Sequence, residues 1–536
     1  MDNKNLINSN NLNEEKQKAI QEILETDINS RKELMIIKRE VAKKYKIGML
    51  KNSEILAMTD KRYGKFIRIL RKRTVRTMSG IAPVAILTKP YPCPGKCVYC
   101  PTEKGVPQSY LSNEPAVMRA IRSFYNPYKQ IQDRLNALEI NGHNPKKIEL
   151  IVIGGTWSVL PKKYKLWYIN ECFLAVNNYN KNIKKNPSPS TVSELEKQIK
   201  KNQQKNEKAD YKIIGITLET RPDYINEKEL QEMRKLGCTR VELGVQAIDD
   251  KILKINKRGH GVEEVITATK MLKDYGFKVT YHIMPGLPGA TAKKDLQMFQ
   301  QLFSDQNFQP DQIKFYPTVV TEGSLLHTWW KQKKYKPYSP KVLQNLIIEC
   351  KKIVPPYVRI IRLIRDIPGE SILAGNKITN LRQIMQDQNV KCDCIRCRQA
   401  NDSKYKIKDL KLKIQKYNAS DGEEFFISYE SNEYLYGFCR LRIVKDKFIK
   451  KAFVRELHVY GELIPEKIDQ KKNQIQHTGI GKKLMQQALE LSQENSCQKI
   501  IVISGVGVRN YYRKLGYKLS ETYMVKLINK LNGNNN

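Results

Sequence analysis

From about residue 80 to 385, short apolar runs alternate with stretches of helical period. IELIVIGG (148–155), IIGITLE (213–219), RVELGVQ (240–246), VTYHIMPG (279–286) and IKFYPTVV (313–320) read as buried strands. Segments between them, such as NEKELQEMRKLG (226–237), carry apolar residues three and four apart. Strand–helix alternation of this kind predicts a parallel sheet, open or closed into a barrel. Upstream, Ile20, Ile23, Leu24 and Ile28, then Leu34, Ile37 and Val41, give a helical spacing from Glu14 to about Ile47. Between Asn177 and Lys212 lies a Lys/Asn/Gln/Ser-rich stretch with Pro187 and Pro189, which predicts a surface insertion with little structure. From about 408 the pattern becomes a series of antiparallel strands, then a glycine turn and a helix, as in a separate domain.

Length and charge sharpen this picture. A chain of 536 residues is too long for one core and predicts two to four domains. The net charge is +40, and a charge that large works against compaction unless a polyanion shares it. Nucleic acid is the obvious partner. The stretch KRYGKFIRILRKRTVR (61–76) has 8 basic residues in 16, no acidic one, and interleaved apolar and aromatic positions, which predicts a phosphate-binding surface. No apolar run approaches the roughly 20 residues of a membrane span. The opening MDNKNLINSNNLNEEK lacks the apolar core of a signal peptide, and its first fifteen or so residues read as a disordered tail. A cytoplasmic location is expected.

Eleven cysteines, six of them in two tight groups, are the usage of a metal-binding protein in a reducing compartment. In YPCPGKCVYCP (91–101), Cys93, Cys97 and Cys100 offer three thiolates. A closed zinc site would want a fourth ligand nearby, and a disulfide an even count. A four-iron cluster held by three protein ligands keeps one iron free. In KCDCIRCRQ (391–399), Cys392, Cys394 and Cys397 are so close that their thiolates repel unless a cation lies between them, which predicts a structural zinc. A fourth ligand is needed there, with Cys350 or a histidine as candidates. Glycines also carry information. Gly154 and Gly155 end a strand, where a backbone without Cβ approaches a ligand closely. Glu219, Arg221 and Gln246 fall at the carboxyl ends of successive strands, the active face of a parallel barrel.

Cys-x3-Cys-x2-Cys with an aromatic residue, Tyr99, before the last cysteine resembles the signature of the radical S-adenosylmethionine superfamily. The resemblance implies a four-iron cluster on Cys93, Cys97 and Cys100 whose free iron binds S-adenosylmethionine. It also implies that Gly154, Gly155 and Thr156 hold the methionine amino group. Glu219, Arg221 and Gln246 become further cofactor contacts, and MPGLPG (284–289) resembles the strand end that supports the adenosine. In the last domain QHTGIG (476–481) precedes an amphipathic helix, and glycines opening a helix expose N–H groups suited to a pyrophosphate. The order FVRELHVYG (453–461), QHTGIG, KIIVISG (499–505), NYYRKLGY (510–517) resembles the GNAT acetyltransferase fold, whose cofactor is acetyl-CoA. By that likeness Glu456, Leu457, His458 and Val459 border the pantetheine arm. Gly479, Ile480 and Gly481 cradle the pyrophosphate, and Tyr511 sits near the thioester.

Both domains in one chain resemble the catalytic, third-subunit family of Elongator and its single-protein homologues in archaea and some bacteria. The likeness runs from about residue 55 to the end and includes EPAVMRAIRSFYNPYKQ (114–130), ETRPDY, LHVYG and ISGVGVRNYYRKLGY. It places an acetyl-CoA contact at Lys147, which with Tyr511 is a candidate catalytic residue. The implied fold is α/β. A helical, basic tRNA-binding region (1–79) precedes a partial (β/α) radical barrel (80–385), a cysteine-rich zinc linker (386–407) and an α+β GNAT domain (408–536). The implied activity is tRNA carboxymethyluridine synthesis at the wobble uridine. A radical taken from the methyl of acetyl-CoA adds to uracil C5, and thioester hydrolysis follows. Such an enzyme needs tRNA and an electron donor, with Elongator-like subunits or self-association as further partners. The rival readings are a protein lysine acetyltransferase with a vestigial radical domain and a non-catalytic tRNA-binding scaffold. The intact Cys93, Cys97 and Cys100, with the glycine pair and Gln246, argue against the first; a scaffold would need neither a cluster nor a pyrophosphate turn, and both are here.

Overall fold

The computed structural model describes residues 12–59, 66, 69–70, 80–181, 183, 191–378, 380–400, 410–431, 434–446, 449–460 and 479–528. Most of the basic stretch 61–76, residues 1–11 of the proposed tail and Gln476–Thr478 lie outside them, while residues 13–15 of that tail are ordered as a helix cap and first turn. The amino-terminal helical segment is two helices, Glu14–Glu25 and Arg31–Lys44, capped by the Asn13 and Ser30 side chains. They pack with Asn52–Met58 around Ile20, Ile23, Leu34, Val41 and Ile55.

Nine strands follow: β1 (Ala82–Leu87), β2 (Lys147–Ile153), β3 (Lys212–Thr220), β4 (Arg240–Gln246), β5 (Lys278–Ile283), β6 (Gln312–Phe315), β7 (Val320–Thr321), β8 (Arg359–Arg362) and β9 (Ile372–Ala374). Strands β1 to β6 and then β8 lie side by side in that order, all parallel, as an open half-barrel. IKFYPTVV is broken rather than continuous. Its first half is β6, while Val320 pairs antiparallel with β9, because Pro317 cannot donate to a ladder. The outward residues Ile148, Leu150, Val152, Ile216, Leu218, Val241, Leu243, Val279 and Tyr281 are buried under the helices. Alternation sends Glu149, Thr217, Arg240, Glu242, Lys278, Thr280, His282, Gln312 and Lys314 to the other face. The lumen is therefore a file of charges where closed parallel barrels pack branched aliphatics.

The stretch between 177 and 212 is more ordered than its composition predicts. Val192–Asn206 is a helix started by a Thr191/Glu194 capping box. Leu195 and Ile199, one turn apart, are buried in the barrel's outer core. Asn202 and Asn206 are hydrogen-bonded to Asn170 and Asn177. The few apolar residues fall on one face, and that spacing outweighs the polar bulk.

The carboxy-terminal sheet contains β10 (Lys411–Ala419), β11 (Gly422–Ser431), β12 (Tyr434–Asp446), β13 (Ile449–Val459), β14 (Lys499–Val502), β15 (Lys518–Ser520) and β16 (Tyr523–Leu527), in the order β10-β11-β12-β13-β14-β16-β15. The first four are antiparallel, and β13 runs parallel to β14 only as far as Val454. Helix Ile480–Glu494 covers one face with Leu484, Met485 and Ala488.

The other face closes the amino-terminal end of the half-barrel. Phe426, Leu435, Phe438, Tyr460, Ile503 and Val506 belong to the same buried cluster as the barrel strands. A Cβ on Gly505 would overlap the carbonyl oxygen of Ile214, so only glycine permits that approach. A register shift between Arg440 and Leu441 leaves Arg455 as the extra residue of β13. Its guanidinium donates to both oxygens of Asp311 at 2.7 and 2.6 Å and to Glu424 at 2.8 Å. Arg440 donates to Glu456 at 2.9 Å, and Arg442 donates to Asp274 at 2.6 Å. Burial opposes ionisation of Asp311, but Arg455, Lys273 and Arg440 hold its carboxyl well below the usual range. Glu207, just beyond the 192–206 helix, takes Arg509 at 3.1 Å and Arg513 at 2.6 Å, so that helix is a strut between the domains.

Candidate active site

Pro92, Pro94, Gly95 and Pro101 keep the cysteine loop out of regular structure. Its anchor is Val98, fully buried, which donates to the Asn256 carbonyl and accepts from Leu326 N–H at 2.7 Å. Cys97 is buried, and Cys93 and Cys100 are half-exposed. The Cys100 thiol donates to Cys97, and with Arg258 Nη1, 3.3 Å from Cys97 Sγ, it brings Cys97 down to about 4 against the effect of burial. Cys93 Sγ stands 3.8 Å from Thr156 Oγ1. The three sulfurs do not converge within 4.8 Å of one another. That spread suits a cluster several atoms across better than a single ion.

Around the loop stand the carboxyl ends of the strands. Gly154 and Gly155, at φ 130° and 103°, carry the chain past Thr88, whose Oγ1 a Cβ on Gly154 would overlap. Arg221 is clamped by Asp223 at 3.0 and 2.8 Å, yet its buried Nη1 has no partner among the described residues. Gln246 adopts φ 71° and its buried Oε1 is likewise unpartnered. Glu219 accepts from Tyr110 Oη at 3.2 Å and faces His282 Nδ1 at 3.5 Å. A donor and two acceptors are thus preset around the thiolates, which fits a ligand carrying both an ammonium and a carboxylate. Sequence reasoning missed Arg258, Tyr110 and His282. For His282 the signal was the alternation T-Y-H-I in a strand read as wholly buried.

His282 continues inward, its Nε2 2.8 Å from Glu242 Oε2, which also accepts from Lys314. Arg240 joins Glu149 at 3.0 Å, Thr217 at 2.8 Å and Gln312 at 3.2 Å. Lys278 donates to Glu456 of β13 at 3.3 Å. This polar file links the radical end of the barrel to the last domain.

Lys147 opens β2 at that far end, half-buried beside Lys212, with burial lowering its affinity for a proton. Seven strand residues at about 3.3 Å each put it roughly 20 Å from Gly154. It does not join the cysteine site. Glu456, Leu457, His458 and Val459 form the part of β13 that has left β14. His458 is stacked on Phe438 (centroids 5.8 Å, 10°), and burial brings it down to about 4. Gly479 is left-handed (φ 76°) and caps the helix begun by Ile480. A Cβ on Gly481 would lie 2.8 Å from Tyr511 Oη and 3.6 Å from Val459, so these three converge. Burial pushes Tyr511 up to about 12.

The sulfurs of Cys392, Cys394 and Cys397 lie within 4.8 Å of one another. Tetrahedral Zn–S bonds of about 2.3 Å put sulfurs about 3.8 Å apart, so the group is dimensioned for one ion. No fourth His, Cys, Asp or Glu joins it among the described residues. Cys350 does not. It is buried with Asp295, Met298 and Leu346 under β5 and β6. Ile395 N donates to the Val358 carbonyl and Ala400 N to that of Leu435, so the cysteine group joins β8 to β12.

Fold and site together define a radical S-adenosylmethionine half-barrel fused to an acetyltransferase domain. Residues 91–302 match the family model of the Radical SAM superfamily, 310–390 that of the Radical_SAM C-terminal domain, and 394–517 that of the Acetyltransferase (GNAT) family. The chain is 42% identical to a Methanocaldococcus jannaschii protein named tRNA uridine(34) acetyltransferase, over 93% of this chain and 94% of that one. It is 36% identical to Homo sapiens Elongator complex protein 3, over 92% of each chain. A solved structure of the archaeal Methanocaldococcus infernus Elp3 with N-terminus deletion aligns at a TM-score of 0.70 and 38% identity, covering 84% of this chain and all of that one. The chain belongs to the Elongator complex protein 3 family.

Proposed function

We propose that this protein makes 5-carboxymethyluridine at the wobble uridine of tRNA, in the cytoplasm, from acetyl-CoA. What supports it is the pair of sites in one rigidly joined chain: a three-thiolate loop ringed by unpartnered buried polar atoms, and a glycine-capped helix beside Tyr511. Cys93, Cys97 and Cys100 hold the four-iron cluster. Gly154, Gly155, Thr156, Glu219, Arg221 and Gln246 receive S-adenosylmethionine, Arg221 through its free Nη1 and Gln246 through its free Oε1. When loaded, cluster and cofactor would supply hydrogen abstraction from the acetyl methyl. The new bond to uracil C5 replaces the C5–H bond, whose proton and one electron leave, the electron to the redox partner, and water cleaves the thioester to release coenzyme A. The hydrogen bond from Cys100 and the Arg258 guanidinium beside it favour the thiolate form of Cys97, the form that binds iron.

In the last domain the helix N-terminus at Gly479, Ile480 and Gly481 takes the pyrophosphate. The unpaired edge of β13 at Glu456, Leu457, His458 and Val459 runs beside the pantetheine, and Tyr511 Oη lies at the thioester end. Lys147, at the barrel end facing this domain, contacts the same acetyl-CoA. Cys392, Cys394 and Cys397 hold a structural zinc at the joint.

Gly479→Glu places a carboxylate where the pyrophosphate sits. It is expected to abolish acetyl-CoA binding and carboxymethyluridine formation while leaving the iron–sulfur absorbance intact. Nucleoside mass spectrometry on tRNA incubated with S-adenosylmethionine, a reductant as electron donor and acetyl-CoA reads the outcome. Full product from this variant would remove the last domain as the donor site.

A further inference from the structure

Residues 323–348 contain no Asp or Glu. Within them, helix Leu325–Lys331, capped by Ser324, is fastened to the cysteine loop. Leu326 N donates to the Val98 carbonyl at 2.7 Å, and Thr102 N donates to the Gly323 carbonyl at 3.1 Å. Leu326 is fully buried in one cluster with Cys97, Val98 and Tyr99. From this helix and the turn after it project Lys331, Lys333, Lys334 and Lys336, all exposed. None of the four forms an ion pair among the described residues. Trp329 and Trp330 are half-buried beside them, and His327 lies stacked on Trp330 (centroids 6.1 Å, 27°). The turn is held in place where Tyr335 Oη donates to the Gly286 carbonyl at 2.7 Å and Tyr338 Oη to Asp295 at 2.7 Å. Between the turn and Gly286–Ala290 lies an open cleft of about 330 Å³ whose walls include Trp329, Lys334 and Lys336.

Four ammonium groups within six residues, none of them in an ion pair among the described residues, repel one another unless a polyanion neutralises them. Aromatic faces interleaved with the charges suit unstacked bases, which a protein or lipid partner does not offer. We propose that helix 325–331 and the turn to Lys336 form an RNA-binding rim. The four lysines would grip the phosphates of the single-stranded loop flanking the target uridine, and Trp329 or Trp330 would stack on one of its bases. The proposal rests on the reading of tRNA as substrate. Because the helix is hydrogen-bonded to the residue between Cys97 and Tyr99, the bound strand is registered to the cluster loop itself.

The test uses the full chain and a tRNA transcript, with affinity measured across salt concentrations. Each phosphate contact on a single strand contributes about 0.7 to the slope of log affinity against log salt. K331A/K333A/K334A/K336A is expected to lower that slope by up to about 3 and to weaken binding by about tenfold or more, with an unchanged thermal melt. Of the four tryptophans, Trp157 is 2% exposed, and Trp167 is half-buried against Tyr164 and Tyr168 on a helix outside the barrel, where W167F gives its share of any quenching. RNA should therefore quench fluorescence mainly through the rim, and W329F/W330F should lose most of that quenching. Unchanged slope and affinity in the lysine variant, with the wild type binding tRNA, overturns the rim and leaves the proposed reaction standing. A wild type that binds no tRNA overturns the substrate reading and the rim with it.

Discussion

His458 shows how one buried residue writes a pH dependence into this protein. An unfolded chain protonates it near 6.5, whereas burial brings the folded value to about 4. The unfolded state thus binds more protons between those values, and stability falls as pH drops from 6.5 to 4. Glu456 extends the fall. Burial works against its charge, but Lys278 and Arg440 bring it from 4.5 to about 2, so its contribution is complete above 4.5 and lost towards 2. Each shift corresponds to about 3 kcal/mol. Thermal melts are expected to decline in both windows, and His458→Asn to flatten the upper one. The cysteines divide in the same way by chemistry. Ala at Cys93, Cys97 and Cys100 should remove iron and leave zinc, Ala at Cys392, Cys394 and Cys397 should do the reverse, and metal analysis after anaerobic reconstitution separates the two.

At the scale of elements, the strands and both cysteine groups were legible because their signals are local: apolar runs, glycines, spacing. What was not legible depended on partners far along the chain. The helix 192–206 looked like loop because its polar residues outnumber Leu195 and Ile199, and nothing nearby announces that Asn202 meets Asn170 or that Glu207 meets Arg509. The charged lumen was hidden inside strands read simply as buried. Lys147 was readable as a residue but not as a position, since only the direction of β2 separates it from Gly154. Leu195→Ala should cost about 3 kcal/mol, as a buried core leucine does. A variant within about 0.5 kcal/mol of wild type in denaturant would show that this helix is the loose insertion its composition suggests.

Across the whole molecule, the two catalytic halves share one interior. Arg440, Arg442 and Arg455, each 1% exposed or less, are neutralised in part by Asp311 and Asp274 of the barrel. Phe426, Phe438, Ile503 and Val506 are covered by it. Removing one partner of a buried pair costs about 3–5 kcal/mol, so Asp311→Ala is expected to lower the unfolding midpoint of both domains together. Calorimetry would show one shifted transition. Two transitions, with only the barrel's moved, would mean that the halves fold independently.

That shared interior also constrains descent. A gene encoding only the last domain would have to replace three buried arginines and an apolar face in the same step, and one encoding only the barrel would have to close an open, charged floor. Either half, cut out as it stands, is expected to unfold more readily than the whole chain. Recombination within this family should therefore exchange whole chains or surface segments, and hybrids joined between Cys397 and β10 should fail unless both parents contribute matching residues at 274, 311, 424, 442 and 455.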